Sequence, residues 1–108
     1  MRCVVKYDHP RRLLTVYAHG APHRRIHREV LKRYREELWK AAQAAGLTAS
    51  LSHQISLSAL FIDPTGPDLD NLLVALFQAL DGKCGKGPTI LKDDKQIVFI
   101  EKAGILFP

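Results

Sequence analysis

Apolar and polar positions alternate with a period of two across residues 51–62, where Ile55, Leu57, Ala59 and Phe61 stand against Gln54, Ser56 and Ser58. Successive side chains on a strand point to opposite faces, so this stretch predicts a half-buried strand, ended by Asp63-Pro64-Thr65-Gly66-Pro67. Residues 2–7 and 13–18 are rich in Val, Tyr, Leu and Thr and flank the turn-forming Asp8-His9-Pro10-Arg11. They predict two more strands, joined as a hairpin. The apolar run Ile97-Val98-Phe99-Ile100 predicts a last one.

The period changes to three and four elsewhere. From about residue 22 to 45, Ile26, Val30, Tyr34, Leu38, Ala41 and Ala45 recur at helical spacing, and Gly46 supplies a stop. A second helix, beginning at Leu69 or Asp70 and running to Leu80, carries Leu69, Leu72, Leu73, Leu76, Phe77 and Leu80 on one side and ends at Gly82. Residues 82–88 hold too much glycine for a regular element. The expected class is α+β, with a small mixed sheet of about four strands and two main helices.

The 108 residues carry no repeat, low-complexity tract or linker, so a single domain over 1–108 is expected. A composition of 46% hydrophobic and 25% charged residues argues against wholesale disorder. There is no run of 18 apolar residues and no apolar core of a secretory signal, which predicts a cytoplasmic protein without a membrane partner. Cys3 and Cys84 are too few for a disulfide framework and match no zinc spacing, and are read as reduced thiols.

The net charge of +5 is uneven. Residues 1–50 hold eleven Lys/Arg against four Asp/Glu, whereas residues 51–108 hold five against seven. Cations that grip phosphates beside carboxylates that hold metal ions suit a nuclease. Arg25, Arg28, Lys32, Arg35 and Trp39 follow one another at helical spacing and form a basic stripe that ends in an indole. Such a stripe is either a solvated face or a phosphate grip; Trp39 is either a base-stacking ring or, as the preferred reading, part of a dimer interface. His23 and His27 sit four apart but lack the glutamate of a zinc-protease helix, and a solvated or phosphate-binding role is expected for them. The loop containing Lys83 and Lys86 is not a P-loop, because Gly87-Pro88 intervenes where Ser or Thr is required. No serine elbow or reactive Cys-His pattern is present, which leaves metal-assisted hydrolysis as the enzyme class.

Pro67-Asp68-Leu69-Asp70-Asn71 falls where a strand has ended and a helix begins. Residues two apart in an extended segment face the same way, so Asp68 and Asp70 can share a site while Leu69 turns inward. Two or three aspartates together with substrate phosphate suit Mg²⁺ or Mn²⁺. The alternative is that Asp70 caps the helix and Asp68 is a turn residue. Asp93-Asp94 is open in the same way, either as ligands or as a solvated turn.

Pro67-Asp68-Leu69-Asp70-Asn71-Leu72, then Ala79-Leu80-Asp81-Gly82, then Lys92-Asp93-Asp94-Lys95-Gln96-Ile97-Val98 together resemble the RusA family of Holliday-junction resolvases. The likeness is strong over about residues 67 to 100; before that it extends only to the plan of strands followed by a basic helix. The resemblance implies a RusA-like α+β homodimer that acts with Mg²⁺, or Mn²⁺, on branched DNA, with Asp68, Asp70 and Asp94 as the catalytic, metal-binding triad. With that triad beside them, Arg25, Arg28, Lys32 and Arg35 of the basic stripe, together with Asn71, Lys83, Lys86 and Lys92, are the expected DNA contacts. One departure stands out: the family's lysine, one turn after the second aspartate, is Val74 here, leaving Lys92, Lys95, Lys83 or Lys86 to supply a cation. The expected function is an endodeoxyribonuclease that resolves four-way junctions by paired nicks. A junction-binding member with weakened catalysis is the alternative, and a small interaction domain whose aspartates only cap elements is a third reading.

Overall fold

The computed structural model describes residues 1–22, 27–64, 68–83 and 87–106. Four strands, β1 (Arg2–Asp8), β2 (Leu13–His19), β3 (Ile55–Ile62) and β4 (Ile97–Leu106), form one sheet in the order β1-β2-β3-β4. The β1-β2 pair is antiparallel and closes as the expected hairpin, while β2-β3 and β3-β4 are parallel, so the sheet is mixed. Parallel neighbours need a long crossover, and helices α1 (Arg28–Ala44) and α2 (Leu69–Leu80) supply the two.

Register decides which side chains reach the core. Val5, Val16 and Ala59 lie in one row across the sheet, and Leu14 pairs with Leu57 and Ala18 with Phe61. All of these are buried, as are Tyr34 and Leu38 of α1 and Leu72, Leu76 and Leu80 of α2. One apolar cluster thus fills the space between sheet and helices. Replacing a residue such as Leu76 with Ala would cost ~2–5 kcal/mol, the usual range for a buried leucine.

Several boundaries depart from the sequence expectation. The first helix begins at Arg28, not near residue 22, and Tyr34, Leu38 and Ala42 form its buried face while Ala45 is exposed. Trp39, expected on the outer basic side, is half-buried and packs against the core. The third strand begins at Ile55, because Leu51 instead makes an isolated bridge to Leu91. The last strand is ten residues long and runs well past Ile100. It is an edge strand with side chains largely in solvent, so no alternation marks its second half. Among the described residues, no helix is long and apolar enough to cross a membrane.

Candidate metal centre and basic groove

The chain leaves α2 at Leu80, and Leu91 lies beside the same helix end. Leu91 N–H donates to Leu80 O at 3.1 Å, and Asp81 and Leu91 form a bridge. The return is tight at Gly82, where a Cβ would lie 2.4 Å from Thr89 Oγ1 and 2.8 Å from Leu91 O. Immediately after it, Gln96 acts as a clamp. Its Oε1 accepts from the amides of Lys92 and Asp93, each at 2.9 Å, and its Nε2 donates to the carbonyls of Leu51 and His53 at 2.8 and 2.9 Å. Asp93 Oδ1 in turn accepts from Lys95 N–H at 2.9 Å, completing a capping box around the single 3₁₀ turn Asp94–Gln96.

This framework brings three carboxylates together. Oxygens of Asp81, Asp93 and Asp94 lie within 4.8 Å of one another, and all three residues are half-buried. Burial, the Asp93 carboxylate that accepts a hydrogen bond from its protonated form, and the negative charge of Asp81 hold the Asp94 carboxyl above the usual carboxylate range. The Lys95 amide chiefly holds Asp93 below it, with help from its bond to Asp94 and from Lys83 and Lys95. Lys83 Nζ stands 3.7 Å from Asp93 Oδ1, so a cation is present at the cluster.

The triad expected from the resemblance is not assembled within one chain. Asp94 is in the cluster, but Asp68 and Asp70 lie at the other end of α2, and at ~1.5 Å per residue roughly 16 Å of helix separates Asp70 from Asp81. Both are exposed, with Asp68 as the extended N-cap and Asp70 in the first turn of the helix. Asp70 is thus helical, whereas an extended segment was expected to run through both. Asn71 Nδ2 donates to Asp68 Oδ2 at 3.0 Å, an i, i+3 contact on that first turn. Val74 is 46% exposed, on the solvent side as its place outside the leucine stripe implies.

Asp81 joins the acidic cluster without being among the aspartates expected to hold a metal. The signal available was its position just past α2, combined with an Asp-x-x-Gln capping pattern at 93–96 that announces a fixed turn. On the hairpin side, equally unexpected, Tyr7 and His53 are hydrogen-bonded and His9 packs edge-on to both.

On the other side of the α2 terminus lies a groove of about 940 Å³. Arg28, Lys32 and Lys40 line it with Leu31, Trp39 and Pro88. Arg35 belongs to this wall, but its Nη2 donates to the carbonyls of Gln78 and Asp81 at 3.2 and 3.3 Å. It therefore steadies the C-terminal end of α2 and joins the groove to the acidic cluster. Lys92 is exposed beside the cluster, whereas Arg25 and Lys86, expected as DNA contacts, fall outside the described residues, as do His23 and Cys84. Cys3 is a free thiol, pushed up to about 12 mainly by burial.

No family model, curated protein or solved structure matches the chain. The site must be read from its own chemistry. Three carboxylates in reach of one point form a hard oxygen donor set able to hold a divalent cation.

Proposed function

We propose that the protein is a metal-dependent endodeoxyribonuclease that resolves four-way DNA junctions by paired nicks, as its resemblance to RusA-like resolvases implies. The observation that carries this reading is the convergence of Asp81, Asp93 and Asp94 beside a groove lined with cations. The donor set fits Mg²⁺ or Mn²⁺, with Asp94 as the one ligand common to the resemblance and the geometry. A bound ion would supply a polarised water and charge neutralisation at phosphorus. The chain's own residues do the rest. Arg28, Lys32 and Lys40 hold phosphates without reading sequence, Arg35 fixes the groove against the acidic cluster, and Lys83 takes the place of the cation missing at Val74. Paired nicks need two sites and hence a homodimer. The open edge strand β4, with Val98, Phe99 and Ile100 exposed, is a suitable surface for a second copy.

The test is incubation of a labelled four-way junction and a matched linear duplex with Mg²⁺ or EDTA, using wild type, Asp81→Asn, Asp94→Asn and Asp70→Asn. Paired nicks confined to the junction, abolished by EDTA and by Asp94→Asn, are expected. Asp81→Asn should reduce them by more than the roughly 10–100-fold typical of losing an outer-shell partner, and Asp70→Asn by less. Nicking that survives EDTA overturns the reading. The exposed Val74 and the distance of Asp68 and Asp70 from Asp94 favour a second reading, a junction binder with weakened chemistry, which predicts tight metal-independent binding without nicks.

A further inference from the structure

We infer that the α1 groove binds a short single-stranded stretch of nucleic acid, with a base stacked on the Trp39 indole; this rests on the nucleic-acid reading above and specifies which part of a branched substrate the groove takes. Duplex phosphates are gripped by cations and polar donors and make no use of flat apolar surface. This groove instead interleaves the exposed Arg28, Lys32 and Lys40 with the indole of Trp39, the side chain of Leu31 and the ring of Pro88, and Glu36 is its one anion. Alternating positive charge and flat apolar surface complements a chain that itself alternates phosphate and ring, with the bases unpaired and their faces available. Arg28 to Lys40 spans about 18 Å of helix, room for a few nucleotides. Trp39 is half-buried against the core, so one part of its ring system is anchored while the rest faces the groove. Ordering that ring costs little at the moment of binding. Because Arg35 ties the same wall to the carbonyl of Asp81, a strand held on Trp39 leads toward the carboxylate cluster. The substrate class favoured is therefore branched DNA with unpaired nucleotides at the branch.

Trp39 is the sole tryptophan of the chain, so its emission reports on this groove alone. The full-length protein is titrated in EDTA with a short oligothymidylate and with an abasic strand of equal length, which keeps the phosphates and removes the bases. Labelled-strand anisotropy then compares wild type, Trp39→Phe and Trp39→Leu. Saturable quenching by oligothymidylate is expected, with the abasic strand bound roughly 5- to 150-fold more weakly, the span of one stacked base. Trp39→Phe should bind oligothymidylate almost as wild type does, and Trp39→Leu should show the loss seen with the abasic strand. Equal binding of the two strands by wild type, or unchanged emission at saturation, overturns the inference even where a Trp39 variant folds poorly. Binding of a four-way junction with none of a single strand removes this inference and leaves the proposed function standing; failure to bind any DNA removes both.

Discussion

Carboxylate oxygens of Asp93 and Asp94 lie within 4.8 Å of each other, and burial together with the neighbouring Asp93 carboxylate keeps a proton on Asp94 above the usual carboxylate range. The folded chain thus holds this proton to a higher pH than the unfolded chain does. The sign follows: the group's own contribution makes the fold less stable as pH rises through its ionisation. A divalent cation bound at the cluster would reverse that trend, because it replaces the proton. Mg²⁺ should therefore raise Tm at neutral pH and have little effect near pH 4, the difference being lost in Asp94→Asn. At a hundredfold excess over Kd the stabilisation would be ~2.7 kcal/mol. In a carboxyl-carbon NMR titration, Asp81→Asn should lower the Asp94 ionisation by removing a neighbouring negative charge. A Mg²⁺ effect on Tm that ignores both pH and Asp94 would place the ion elsewhere.

Gly82 is expected to tolerate no side chain. The methyl group of Gly82→Ala would meet Thr89 Oγ1 and the carbonyl of Leu91, which are hydrogen-bonded to each other. A destabilisation of ~1–3 kcal/mol, as for overpacking, should come with weaker Mn²⁺ binding, since the strained segment leads directly into Asp93 and Asp94. Urea unfolding and Mn²⁺ titration by calorimetry check the two effects together. An unchanged urea midpoint would show that residues 89–91 have room to give.

The Tyr34 hydroxyl is buried in the core without a hydrogen-bond partner among the described residues. An unsatisfied buried polar group costs ~1–3 kcal/mol, so Tyr34→Phe should be neutral or stabilising by about that amount in urea unfolding. A clear loss of stability would mean the hydroxyl makes a bond in solution.

Phe99 is 60% exposed on the edge strand β4. If the proposed dimer forms through this strand, Phe99→Glu should leave the far-UV circular dichroism spectrum unchanged and turn dimer to monomer by light scattering, with the proposed paired nicking falling to single nicks. A dimer that survives the change would place the interface on another surface.

Much of the fold was legible because burial imposes periodicity. Ile55, Leu57, Ala59 and Phe61 alternate because one sheet face meets the helices, and the leucines of α2 recur because one side of it does. β4 was legible only in its apolar first half, since Glu101 and Lys102 face solvent at an edge and no burial pattern constrains them; Glu101 there takes a surface ion pair with Arg11 at 3.0 Å. The acidic site was half legible. Asp94 was identified from the sequence, but its companions were sought at the start of α2, where two aspartates stand close in the chain. The residue that meets it follows the far end of that helix, and nothing local to Asp81 reveals that the chain turns back there.

Helix α2 consequently behaves as a ruler with a phase. Each residue turns the chain by about 100° around the helix axis, so one residue added within Leu69–Leu80 would carry Asp81 to a different side of the terminus, out of line with Asp93 and Asp94. The convergence of the three carboxylates therefore depends on the number of residues within α2. A change of length in α2 would disperse the cluster while leaving every acidic side chain in the sequence.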